Sequence, residues 1–132
     1  MNALAETAGG VYTLDLEAEE VESFAPGAAL EPEPEPSTGL PRVVAAAAAG
    51  STVLVAVDAK PPLLVSHDAG RTWRDSGRGL PVGRAVAVAA DDPDLLLFAA
   101  GFRVFVSRDG GRFWHALACE LPEEVVAVAW PG

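Results

Sequence analysis

An eight-residue stretch that occurs twice is the feature of this sequence that most constrains its fold. It reads Ser-His-Asp-Ala-Gly-Arg-Thr-Trp at residues 66–73 and Ser-Arg-Asp-Gly-Gly-Arg-Phe-Trp at residues 107–114. The two copies share Ser-x-Asp-x-Gly-Arg-x-Trp and begin 41 residues apart. A matched motif at such a spacing indicates a repeat architecture, in which each repeat is one small unit that cannot bury its apolar face alone.

Each octapeptide has the chemistry of a tight turn. Ser and Asp side chains hydrogen-bond to backbone groups a few residues further along the chain, and glycine adopts positive φ without steric cost. Apolar runs flank both copies, so each copy predicts a β-hairpin whose returning strand begins at the Trp. We expect Asp68 and Asp109 to stabilise these turns rather than to serve as catalytic or metal-binding carboxylates.

The octapeptides resemble the Asp-box (BNR) repeat of sialidase-like and sortilin-like β-propellers and of the photosystem II assembly factor family. The second copy departs from the usual pattern at Phe113, where Thr is common. The resemblance implies a propeller in which the box is a structural turn away from the ligand-binding face. The residues that match the box are Ser66, Asp68, Gly70, Thr72, Trp73, Ser107, Asp109, Gly111 and Trp114.

The segments around the boxes align as two four-stranded units, residues 42–83 and 84–123. Helix propensity alone favours a helix over the Ala-rich residues 42–49. The equivalent segments, 84–90 and 124–130, alternate small and β-branched residues as strands do, so we predict a strand over 43–48. Within the same alignment, the strand predicted over 52–57 corresponds to residues 94–99.

The remaining segments complete an all-β prediction for a single domain over residues 1–132. Residues 1–24 read as three strands of a partial blade, with an amphipathic helix over 15–24 as the alternative. Residues 124–132 supply a lone inner strand, which completes the partial blade within one chain or between chains. The predicted fold class is a set of propeller-type repeats, about three four-stranded antiparallel blades. Since closed propellers use about four to eight blades, the chain is either half of an oligomeric six-bladed ring or a piece of a longer propeller.

Charge is concentrated in the first third of the sequence. Residues 1–41 hold nine acids and no Lys or Arg, whereas residues 42–132 hold ten acids and nine bases. The nearly neutral repeats lack the basic footprint that nucleic-acid binding needs. The acidic, proline-rich residues 25–41 are predicted to form an extended loop, with a docking segment for a basic partner as the alternative. The sequence shows no signal peptide and no apolar run long enough to span a bilayer, which favours a cytoplasmic location.

Catalytic signatures are weak. There is no Gly-x-Ser-x-Gly, phosphate loop or metal-ligand spacing, and His67, His115 and Cys119 do not make a metal site, so we expect no cofactor or metal. Sialidase chemistry, as the resemblance implies it, needs an arginine triad and a Tyr–Glu pair, but Tyr12 is the only tyrosine. The acids at 91–94 fit a solvated turn better than a cation site.

We therefore expect a non-catalytic module for protein binding or assembly. The alternative is a fragment of a sialidase-like glycoside hydrolase. Propellers of these families present ligands on the face formed by the loops between second and third strands and between blades. The candidate ligand-face residues are Lys60, Arg78, Phe102 and Arg103. The expected partner is another protein or a second copy of the chain.

Overall fold

The computed structural model describes residues 1–131, which contain twelve β-strands. The strands are β1 Asn2–Thr7, β2 Gly10–Asp15, β3 Glu20–Pro26, β4 Val43–Ala49, β5 Thr52–Val57, β6 Leu63–Ser66, β7 Arg74–Ser76, β8 Ala85–Val88, β9 Leu96–Ala100, β10 Arg103–Ser107, β11 His115–Ala116 and β12 Ala127–Ala129. Residue 132, at the end of the predicted last segment, lies outside the described residues.

The strands form three four-stranded antiparallel sheets, which confirms the predicted fold class. Blade 1 has the order β12-β1-β2-β3, blade 2 the order β4-β5-β6-β7, and blade 3 the order β8-β9-β10-β11. In blade 1 the last strand pairs with the first, since Ala5 lies opposite Val128. The partial blade and the lone strand therefore complete each other within one chain.

The inner strands β4, β8 and β12 are built largely from Ala and Val. Strand β8 contacts both β4 and β12, so blade 3 lies between blade 2 and blade 1. The Ala-rich segment forms a strand because β4, apart from an irregularity at Val44, pairs along its length with the apolar β5, and this pairing overrides the helix propensity of alanine. The alternative helix over 15–24 is wrong, since that segment contains the turn from β2 to β3 and most of β3.

Two apolar clusters join the blades. One lies between blades 2 and 3, where Leu54 and Leu63 meet Phe98. The other lies between blades 3 and 1, where Val104 and Leu14 belong to one cluster. Blade 3 is thus covered on both faces, whereas within residues 1–131 blades 1 and 2 each have an outward face with no blade in front of it.

One detail of the repeat alignment is wrong by a single residue. Val55 pairs with Leu64 and Phe98 pairs with Phe105, and both partners lie two positions before a box serine. Val55 therefore corresponds to Phe98, whereas the aligned ranges 52–57 and 94–99 would match it to Leu97. The loop after β5 spans residues 58–62 but the loop after β9 spans only 101–102, and a one-residue slip transfers every side chain of a strand to the other face.

Within the described part of the chain, no helix has the length and apolar character needed to cross a membrane.

Candidate functional site

The octapeptide at residues 66–73, called the first box, is a closed network of short hydrogen bonds. The Ser66 hydroxyl donates to Asp68 Oδ1 at 2.7 Å and accepts from the Gly70 N–H at 2.8 Å. Thr72 donates twice to the same carboxylate, from its N–H to Oδ1 at 2.9 Å and from its hydroxyl to Oδ2 at 2.6 Å. These donors, led by the Thr72 hydroxyl, hold the pKa of Asp68 far below its ordinary value. Both oxygens of the carboxylate therefore accept hydrogen bonds from within the turn.

The second box repeats this geometry with two bonds fewer, since it lacks counterparts of the Thr72 hydroxyl bond and of the bond from the Asp68 N–H to Ser66 Oγ at 3.3 Å. Asp109 Oδ1 accepts from the Ser107 hydroxyl at 2.9 Å and from the Phe113 N–H at 3.0 Å. Phe113 has no hydroxyl, and its side chain is 79% exposed. Burial raises the pKa of Asp109, but hydrogen bonds, led by those from the Phe113 N–H and the Ser107 hydroxyl, lower it by more. The pKa therefore lies below its ordinary value. Gly111, with φ near 94°, supplies the N–H that Ser107 Oγ accepts at 2.9 Å.

The second box also holds blade 3 against blade 2. The indole Nε1 of Trp114 donates to Ser76 Oγ at 2.9 Å, and the Ser76 hydroxyl donates to the Gly111 carbonyl at 2.6 Å. The Trp114 ring meets Phe98 edge-on, with centroids 6.2 Å apart. The box is therefore an interblade joint as well as a turn. No pattern in the sequence pointed to Ser76, which follows Arg74 and Asp75 in a three-residue strand made entirely of polar residues.

Trp73 occupies the corresponding place on blade 2. It packs with Val53, Val55 and Val57 on the outward face of that blade. Because no blade lies in front of this face, the cover comes from Trp73 itself and from Leu40 in the connection between β3 and β4. Val55 is completely buried.

The four candidate ligand-face residues lie at the rim opposite the boxes. The boxes connect β6 to β7 and β10 to β11, whereas Lys60 follows β5, Arg78 follows β7, and Phe102 and Arg103 follow β9. Strands in each sheet alternate in direction, so these positions share the far end of the blades. Lys60, Arg78 and Phe102 are exposed, and Phe102 retains 53% of its accessible surface.

Arg103 differs from the other three candidates because its side chain already has partners. Its guanidinium forms an ion pair with Glu120 and donates to the Leu117 carbonyl at 3.4 Å. The connection that carries these partners also fixes the neighbouring loop, since the N–H groups of Leu121 and Val125 donate to the Phe102 and Gly101 carbonyls at 2.8 and 2.9 Å. The rim around Phe102 is therefore held in place by main-chain bonds.

A cavity of about 600 Å³ lies along the inner strands. Its walls are the small side chains of β4, β8 and β12 together with residues 30–36 of the acidic connection. We call residues 30–40 the strap. Near one end, the Leu30 N–H donates to Glu6 Oε1 at 3.0 Å on blade 1, and at the other end Leu40 packs on blade 2. The sequence predicted a loop here but gave no sign that it bridges two blades.

The sequence matches no protein-family model, and no curated protein matches it. Among solved structures, the chain is similar to one described as YCF48 bound to D1 peptide, with a TM-score of 0.50, 14% identity, and coverage of 92% of this chain and 42% of that one. It is also similar to the GH74 enzyme of Niastella koreensis, with a TM-score of 0.49, 18% identity, and coverage of 96% of this chain and 19% of that enzyme.

The chain thus spans less than half of the length of either of these two structures. At 14% identity, the likeness to the first shows a shared fold and nothing about activity. Together with the three four-stranded sheets around common inner strands, it places this chain among proteins built from β-propeller blades.

Proposed function

We propose that this chain is a non-catalytic module of the Asp-box propeller type that works by binding another protein. The observation that carries the proposal is Phe102, an aromatic side chain that is 53% exposed on a loop fixed by main-chain hydrogen bonds. Large aromatic side chains dominate the energetics of protein interfaces. A rigid loop reduces the entropy lost on association.

The charges at the same rim suit a protein partner. Lys60 and Arg78 are exposed at this end of blade 2, while Arg103 is engaged with Glu120. A partner with an apolar pocket for Phe102 and carboxylates opposite Lys60 and Arg78 would complement this rim. The structural neighbour described as YCF48 bound to D1 peptide is itself a protein that binds a peptide, which agrees with the proposed class of ligand.

The carboxylates with shifted pKa values favour a non-catalytic role. Within residues 1–131 they are Asp15, Glu19, Asp68 and Asp109, and the pKa of each is lowered. Hydrogen bonds from turns and from blade 3 lower all four. A general acid of a glycoside hydrolase needs the opposite shift, a carboxyl group whose pKa is raised.

Photocrosslinking from the rim tests this proposal. A photoreactive amino acid replaces Phe102 in one version of the chain and Phe113 in another, since both residues are exposed aromatics but lie at opposite rims. We expect position 102, and not position 113, to crosslink a discrete protein in extracts of the source cells. Equal labelling from both positions would contradict a rim site, and turnover of a fluorogenic sialoside by the purified chain would overturn the non-catalytic assignment.

A second copy of the chain is the other partner we propose, in a six-bladed homodimeric ring. The support is the pair of outward faces on blades 1 and 2.

A further inference from the structure

The outward face of blade 2 is built like a face that already forms an interface in this molecule. Val55, Leu64 and Trp73 correspond to Phe98, Phe105 and Trp114 by strand register and box position. The latter three belong to the apolar cluster between blades 3 and 2. The outward face of blade 2 therefore resembles the face of blade 3 that packs on blade 2.

At the opposite end of the row of three blades lies the outward face of blade 1. Leu14 packs towards blade 3, so its neighbour Thr13 points the other way, as do the paired residues Leu4 and Ser23. Leu4 and Thr13 are half-buried, and Ser23 is exposed. This face is the one that would meet the next blade of a continuing propeller.

In the single chain, the strap contacts both blade 1 and blade 2. Leu30 is anchored at Glu6 on blade 1, and Leu40 covers the valines of blade 2. Between these anchors Glu31, Glu33 and Glu35 are exposed. Their like charges repel one another, which makes this part of the strap easier to displace from the blades.

We propose that the strap competes with a second copy of this chain for these two faces, and that its displacement lets two copies close into a six-bladed ring. In the ring, the outward face of blade 1 of each copy packs on the Trp73 face of blade 2 of the other copy. Two equal contacts of this kind close under twofold symmetry. This inference rests on the self-association proposed above and is independent of the rim around Phe102.

The size of the faces fits a reversible dimer. A face of four strands and about five residues measures roughly 19 Å by 17 Å, so two contacts bury ~1,300 Å² when both partners are counted. Stable interfaces bury about 1,200–2,000 Å², which places this ring at the lower end. At that size, an intramolecular strap is able to compete with the second copy.

Sedimentation velocity over a range of concentrations tests the competition in the full chain and three variants. Leu40→Ser releases the strap from blade 2, and Ser23→Arg places a charge on the outermost strand of the blade 1 face at a position that is exposed in the single chain. Ala18→Arg adds the same charge at the exposed turn between β2 and β3, away from both faces. Thermal unfolding establishes that each variant folds.

We expect the wild-type chain and Ala18→Arg to show a reversible monomer–dimer equilibrium, with dimerisation tightened roughly tenfold by Leu40→Ser and abolished by Ser23→Arg. The idea is overturned if wild type and Leu40→Ser stay monomeric up to about 1 mM, the range of intramolecular effective concentrations. Dimerisation of Ser23→Arg equal to that of wild type would also overturn it, as would a Leu40→Ser dimer no tighter than wild type. Crosslinking from position 102 in the Ser23→Arg variant, which is expected to be monomeric, tests binding at the rim separately from formation of the ring.

Discussion

Replacement of Ser76 by alanine is the sharpest test of how the repeats are joined. Ser76 is 6% exposed, and its hydroxyl donates to the Gly111 carbonyl at 2.6 Å while accepting from Trp114 Nε1 at 2.9 Å. Ser76→Ala removes both hydrogen bonds and leaves a carbonyl and an indole N–H without partners between two blades.

The expected cost follows from these two unpaired groups. A buried polar group left without its partner costs about 1–3 kcal/mol, and Trp114 is only partly buried, so the two together should cost roughly 2–3 kcal/mol. Against a total stability of about 5–15 kcal/mol for a domain, this is a large loss. Urea unfolding followed by tryptophan fluorescence should show a lower midpoint with an unchanged slope.

Two comparisons make the Ser76→Ala measurement decisive. Ser37→Ala, in the exposed part of the strap, should leave the free energy of unfolding within about 0.5 kcal/mol of wild type. In a cycle with Trp114→Phe, which removes the indole donor, the two changes should be non-additive by about 1 kcal/mol. A Ser76→Ala cost as small as that of Ser37→Ala, or strict additivity in the cycle, would refute the interblade joint.

Three further predictions concern the turns and the connections between blades. Gly83→Ala should destabilise the chain by more than ~1 kcal/mol, because an added Cβ would collide with the Phe98 ring and the Ala99 carbonyl. In the control Gly79→Ala, the added Cβ meets no atom within 4 Å, so this variant isolates the cost of a φ near 88°. Thermal melts of both variants measure the difference in stability. Phe113→Thr should stabilise the second box by about 0.5–1 kcal/mol at pH 7, since threonine supplies the hydroxyl that donates to the carboxylate in the first box. Phe113→Val lacks the hydroxyl and should not reproduce the gain. Equal melting temperatures for the Thr and Val variants would contradict the explanation. Asp68→Asn should lower stability at pH 7 but much less at acidic pH. The pKa of Asp68 is lowered in the folded chain, so its contribution is present above the unfolded pKa of about 3.9 and is lost as the pH falls below it; a pH-independent difference between the melting curves of variant and wild type would count against this.

Local chemistry was readable from the sequence because its causes are local. Ser66, Asp68 and Thr72 lie within seven residues, and their side chains can satisfy the turn without help from the rest of the fold. The β-branched alternation of the inner strands is local in the same sense. The hairpins and the turn hydrogen bonds of Ser66 and Asp68 were therefore predictable. The strand over residues 43–48 was predicted only through its alignment with residues 84–90 and 124–130, because local propensity favours a helix there.

The alignment of β5 with β9 shows where local patterns stop being sufficient. Both strands are apolar on both faces, so alternation could not fix which residue faces which blade. A difference in the loops that follow them shifted the register by one residue. Only the pairing of Val55 with Leu64 and of Phe98 with Phe105 settled the equivalence.

The sequence by itself determined that the chain consists of repeated antiparallel hairpins, because turn chemistry and side-chain period act over a few residues. The tertiary structure alone decided that Leu4 pairs with Ala129, that Ser76 joins two blades, and that the strap extends from blade 1 to blade 2. These contacts link residues that are distant along the chain or in different blades. They form because they bury apolar faces and satisfy polar groups that no single repeat can cover, and that requirement exists only once the sheets have come together.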